Sequence, residues 1–147
     1  MTEEIEINKV LPGDLLAIHS LCDKDFVPPL SQRVKVSDYC MKLISMAEII
    51  SYRRDGELQG VLAIYCNDHT GQTAYISSVC VHPDWRGRGV GARLLDYSIS
   101  LAKIKGMKKI RLEVSRANSA AFTLYSQRDF KVTDIAIDTV FMEREIH

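Results

Sequence analysis

The sequence predicts an α/β fold, a single domain over residues 1–147 built on a mixed sheet. Three observations predict it. Seven strand-like patterns of period two interleave with four helical patterns, in the order β-α-α-β-β-β-α-β-α-β-β. The length of 147 residues is close to that of one domain. No repeat, low-complexity stretch or long linker divides the chain, which leaves one core shared by strands and helices.

The elements follow in order. Residues 4–10 alternate through Ile5 and Ile7 and read as a first strand. Pro12-Gly13-Asp14 breaks it, and Asp14 is placed to cap a helix over Leu15 to Leu21. Asp23 to Arg33, with Phe26, Pro28, Pro29 and Leu30, reads as a loop or broken helix. Ser37 is placed to cap a second helix reaching Ser45. Two strand patterns, Glu48 to Arg54 and Leu58 to Cys66, flank an Asp55-Gly56 turn and predict a hairpin. After a polar turn over Asn67 to Gln72, Thr73 to Val81 is the fourth strand. A third helix carries Val90, Leu94, Tyr97, Leu101 and Ile104 at helical spacing and stops at Gly106. Lys109 to Val114 is the fifth strand. Asn118 or Ser119 starts a helix over Ala120 to Gln127, and two strands, Phe130 to Ile137 and Thr139 to Ile146, close the chain.

Composition excludes several classes. Nineteen basic residues balance nineteen acidic ones, so no polyanion such as nucleic acid is expected as the main partner. No apolar run approaches the length of a membrane span, and the N-terminus lacks the pattern of a signal peptide. Cys22, Cys40, Cys66 and Cys80 have no metal spacing, so no metal is expected. Three of them sit in apolar or helical patterns, as free buried thiols do. These features lead to the expectation of a reduced, cytoplasmic protein.

The most informative segment is Trp85-Arg86-Gly87-Arg88-Gly89-Val90-Gly91-Ala92, which joins the fourth strand to the third helix. Glycines let backbone approach a ligand closely. The amides of a helix's first turn lack partners within the helix and suit an anion, most often a phosphate. Three readings stand. A structural turn is one. A dinucleotide loop is the second, because Gly87 to Ala92 fits G-x-G-x-x-A formally, although that motif belongs directly after the first strand. A P-loop is excluded, because no GK[ST] follows. The third is the pyrophosphate site of an acyl-CoA.

The residues that separate these readings carry a family resemblance. Arg86-x-x-Gly89-x-Gly91 is similar to the R/Q-x-x-G-x-G/A signature of the GNAT acetyltransferases. Val79-Cys80-Val81-His82-Pro83 resembles that family's fourth strand and its exit. Asn118, Ala121, Leu124-Tyr125 and Phe130 resemble its N-x-x-A-x-x-L-Y-x-x-x-G-F block. Asp129 stands where that block has glycine at a left-handed helix end, a conformation Asp tolerates better than most residues.

The resemblance implies a mostly antiparallel sheet splayed between its fourth and fifth strands. It implies acetyl-CoA as co-substrate and an amine as acceptor, and it admits a homodimer. Pantetheine would pair with Val79, Cys80 and Val81. Gly87 and the amides of Arg88, Gly89, Val90, Gly91 and Ala92 would hold the pyrophosphate with Arg86, and Asn118 and Ala121 would flank the pantetheine arm. Tyr125 matches the family's tyrosine acid. Glu113, in Leu112-Glu113-Val114, is the candidate base, as in the similar ribosomal-protein alanine acetyltransferase subgroup.

The chemistry asks for a neutral amine, an oxyanion donor such as a free amide near Val81, and a proton for the leaving thiolate. A covalent route through Cys80, with His82 on its strand face, is the alternative mechanism. Phe26, Leu30 and Arg33 are expected to meet the acceptor, a small amine in preference to a peptide N-terminus. A non-catalytic acyl-CoA sensor is the rival to an enzyme.

Overall fold

The computed structural model describes residues 2–147. The chain runs β1 (Glu3–Ile7), α1 (Pro12–Leu21), α2 (Leu30–Arg33), α3 (Val36–Met46), β2 (Glu48–Arg54), β3 (Glu57–Tyr65), β4 (Thr73–Val81), α4 (Val90–Ile104), β5 (Lys109–Ser115), α5 (Ser119–Ser126), β6 (Lys131–Ile135) and β7 (Thr139–Glu145). Single 3₁₀ turns lie at Asp23–Asp25 and Pro83–Trp85. The sheet has seven strands in the order β1-β2-β3-β4-β5-β7-β6. Every neighbouring pair is antiparallel except β4 and β5.

The period of two sorts the central strands onto two buried faces. Ile50, Leu62, Ile64 and Ile76 face α4 through Val90, Leu94 and Leu95. Ile49, Val61, Ala63 and Cys80 face α1 and α3 through Leu15, Ile18, Cys40 and Leu43. The third helix pattern is borne out over Val90–Ile104, and Gly106 ends it with φ 81°. Two of its apolar positions point outward, Tyr97 and Ile104, the latter 80% exposed. Asp55 and Gly56 both take positive φ, as a type I′ hairpin turn requires.

Three local expectations differ. Leu11 is the residue before α1 and Pro12 its first, so Asp14 lies inside the first turn and pairs with Arg53 at 3.6 Å. Lys35 precedes α3, which puts Ser37 inside that helix. The broken-helix segment resolves into a 3₁₀ turn and the four-residue α2, making five helices.

Gly60 lets α4 press on the sheet. A Cβ there would stand 2.9 Å from Val90 Cγ1 and 3.2 Å from the Cys80 carbonyl oxygen. The first turn of α4 is thereby held against β3 beside the end of β4.

Candidate active site

β4 and β5 pair only from Thr73 with Lys109 to Ile76 with Leu112. Beyond that rung both strands continue, to Val81 and Ser115, without pairing to each other. The other side of β4 stays bonded to β3, where the register slips and leaves Ser77 as an extra residue. Such a bulge bends a strand, and it sits where β4 leaves β5. A cleft of about 910 Å³ opens there.

One wall of the cleft is the β4 edge from Ser77 to Val79, with Val81. Its floor is the glycine loop. Gly87 and Gly89 adopt φ 74° and 84°, a region costly for residues with a Cβ. Gly89 caps α4 without a side-chain bond, so the first-turn amides of Val90, Gly91 and Ala92 face the cleft end of the helix. Val90, Gly91 and Ala92 line the cleft.

The opposite wall comes from β5 and α5. Asn118 caps α5, accepting the Ala121 amide at 3.1 Å. Ala121, Leu124 and Tyr125 follow along the same helix and line the cleft. Tyr125 is 7% exposed and packs on Phe130 with ring centroids 5.8 Å apart. Burial pushes its phenol up to about 12, with a smaller contribution from Cys80. Glu113 projects from the face of β5 opposite the buried Leu112 and Val114, and Thr139 of β7 donates its hydroxyl to Glu113 Oε2 at 2.5 Å. Phe26, Leu30 and Arg33 line the same cleft from the segment between α1 and α3.

Most of the residues singled out from the sequence thus meet at one cleft, and Cys80, Arg88 and His82 lie away from its lining. Cys80 is fully buried behind β4, where a hydrogen bond with Cys22 and burial raise its thiol well above the ordinary range. Arg88 stacks over Trp85, 4.7 Å from the ring centroid. Arg86 lines the cleft but is turned toward the segment between α1 and α2. It donates to Asp25 Oδ2 at 2.7 Å and to the Val81 carbonyl oxygen at 3.3 Å. His82 Nδ1 accepts the Asp84 amide at 3.1 Å, which occupies the nitrogen that a thiol partner would need.

The fold also assembles a polar group that sequence reasoning missed. His19 of α1, wholly buried, donates Nδ1–H to the Leu15 carbonyl at 2.8 Å. That leaves Nε2 to accept the Ser78 hydroxyl at 3.0 Å. Burial lowers the His19 pKa, which keeps the ring neutral, against a smaller raising effect of the Leu15 bond. The Tyr39 hydroxyl lies 2.6 Å from Ser77 Oγ and donates to the Ser77 carbonyl at 3.2 Å. Burial pushes this phenol up to about 12 as well. α1 and α3 therefore grip the β4 bulge through two side chains.

Comparison with known proteins matches this architecture. The Acetyltransferase (GNAT) family description fits residues 15–130. Thialysine N-epsilon-acetyltransferase of Mus musculus is 29% identical over 113 residues, 65% of this chain and 65% of its own length. The chain spans 65% or less of the length of the first curated relatives it matches. Among solved structures, an N-acetyltransferase of Staphylococcus aureus Mu50 superposes with TM-score 0.79 at 19% identity, covering all of both chains. The PaiA N-acetyltransferase of Thermoplasma acidophilum, solved with coenzyme A, superposes with TM-score 0.73 at 20% identity over 99% of each chain. At those identities the likeness is one of fold. The family match covers most of the chain, from within α1 to Phe130 just before β6, and takes in the parted strands, the glycine loop and α5 with its Asn118 cap: the chain belongs to the GNAT family of N-acetyltransferases.

Proposed function

We propose that this protein transfers the acetyl group of acetyl-CoA to a small primary amine by direct attack in a ternary complex, as a single domain. The observation that carries the reading is the β4 edge from Ser77 to Val81, left without a partner strand over the cleft. A linear arm bearing amides completes such an edge as a strand would. The αL glycines Gly87 and Gly89 and the first-turn amides of α4 suit a pyrophosphate at the other end of that arm. Asn118 caps α5 beside the arm's path.

The residues then take these roles. Glu113, held by Thr139, orients the ammonium and accepts its proton, because an amine of pKa roughly 10 attacks only when neutral. A free amide of β4 near Val81 donates to the carbonyl oxygen as it gains charge. Tyr125 stays protonated and donates to the departing sulfur. A phenol at about 12 is a weaker acid than a thiol near roughly 8.5. Tyr125 therefore supplies a hydrogen bond, and the proton that ends on sulfur originates on the amine. The preference for a small amine is in line with the mouse relative, whose name specifies an amino-acid acceptor.

The test is CoA release from acetyl-CoA across a panel of amines, with product mass read by mass spectrometry. Acetylated amine with loss of rate in Tyr125→Phe supports the reading. Tight acetyl-CoA binding with no amine turned over replaces it with an acyl-CoA sensor. Stabilisation by NAD(P) and not by acetyl-CoA overturns both.

A further inference from the structure

Resting on that reading, we infer that the acceptor amine also carries a carboxylate, which Arg33 receives with Lys24 beside it while the amino group faces Glu113. The segment from Asp23 to Arg33 brings two carboxylates and two cations to the acceptor side. Of the two carboxylates only Asp25 is ion-paired, while Asp23 keeps its charge next to Lys24. Asp23 accepts the Ser31 amide at 2.7 Å and the Ser31 hydroxyl at 2.6 Å. Asp25 takes the Arg86 guanidinium at 2.7 Å. Among the described residues neither Lys24 nor Arg33 is ion-paired, and both line the cleft. With Asp25 set against Arg86, Asp23 offsets one of the two cations, and this wall keeps a net positive charge.

Arg33 is also positioned. Its guanidinium stands over the Phe26 ring, 5.9 Å from the centroid, an arrangement that limits the motion of the fork. Both residues face the cleft. A planar guanidinium matches a carboxylate with two parallel hydrogen bonds. From β5 the cleft receives the opposite sign in Glu113, tethered by Thr139. Tyr75 lines the cleft within electrostatic reach of both Glu113 and Arg33. One cleft therefore presents an anion suited to an ammonium and cations suited to a carboxylate. A diamine or polyamine would meet like charge at Lys24 and Arg33, whereas an amino acid meets the complement at both ends.

The experiment compares acceptors that differ only in the carboxylate: lysine with its methyl ester, and β-alanine with β-alaninamide. Readouts are kcat and KM for wild type, Arg33→Gln, Arg33→Lys and Lys24→Gln, with melting temperatures to verify folding. The expected result is a kcat/KM about tenfold or more higher for the free acid, the size of one charge-assisted hydrogen bond. Arg33→Gln raises KM for the acid by about tenfold with kcat changed less than about twofold, and Arg33→Lys restores part of the loss. High salt shrinks the preference. Equal or better use of the ester and amide, or an acid preference unchanged in both folded Gln variants, overturns the carboxylate assignment alone. Absence of CoA release with every amine overturns the acetyl-transfer reading and this inference together.

Discussion

Arg86 Nη2 lies 2.7 Å from Asp25 Oδ2, so the first residue of the glycine signature is fastened to the segment that follows α1. Through Nε the same guanidinium holds the carbonyl of Val81, the last residue of β4. One side chain thereby joins the glycine loop, the end of the open strand and the Asp23–Arg33 segment.

That pair predicts how acetyl-CoA binding responds to charge. Both side chains are substantially exposed, so the pair itself adds little stability. Asp25→Asn removes a negative charge near the anion site and frees Arg86. Acetyl-CoA should bind about threefold tighter at low salt, with the gain fading at high salt. Calorimetric titration at two salt concentrations checks this. Weaker binding would mean that Arg86 serves the donor from its Asp25-bound position.

Tyr125→Phe should lower kcat by about 10² while acetyl-CoA affinity stays within about twofold, because only a donor to the departing sulfur is lost. Glu113→Gln should lower kcat/KM by about 10². Steady-state kinetics with direct binding of acetyl-CoA separates the two. A Tyr125→Phe enzyme at full rate would reduce the residue to packing against Phe130.

Two glycine exchanges should move stability in opposite directions. Asp129 holds φ 65°, so Asp129→Gly relieves a left-handed residue and should stabilise by about 1 kcal/mol, or about 3 °C in melting temperature. Its loose contact with Arg144 at 3.8 Å offsets little of that. Gly60→Ala drives a methyl group against Val90, Leu94 and the Cys80 carbonyl and should cost about 1–3 kcal/mol. Because α4 must then back away, acetyl-CoA affinity should fall too. Thermal melts with and without acetyl-CoA read both effects.

His19 makes stability depend on pH. Its pKa is lower folded than the ordinary 6.5, so below 6.5 the unfolded chain binds more protons than the folded one. Stability from this group is complete above that pH. It falls as pH drops from 6.5 toward the folded pKa, by at most about 1.4 kcal/mol per unit. His19→Gln should flatten this part of a denaturant-derived pH profile. An identical slope in wild type and variant would assign it to other groups.

What was readable in the chain was what is local. The glycine loop, the Asn118 cap and the Asp55-Gly56 turn place partner and residue within a few positions, and local backbone demands select their residue types. His19 carried no such signal, since its hydroxyl partner Ser78 lies 59 residues away. The Arg86–Asp25 pair lacks a local signal for the same reason, its members lying 61 residues apart. Asp14 and Ser37 misled because a capping residue type announces a helix start only to within a turn, and proline at Pro12 and lysine at Lys35 set the true boundaries. Tyr97 and Ile104 keep helical spacing on α4, yet both lie exposed.

The short pairing of β4 with β5 has one more consequence. The sheet is two leaves bound along a spine only four rungs long, and Ala74, Ile76, Ile110 and Leu112 fill that spine with almost no exposure. Two of these side chains, Ile76 and Leu112, also reach the cleft at the rung where the leaves part. A larger or smaller residue at either position would therefore reshape the opening from its hinge.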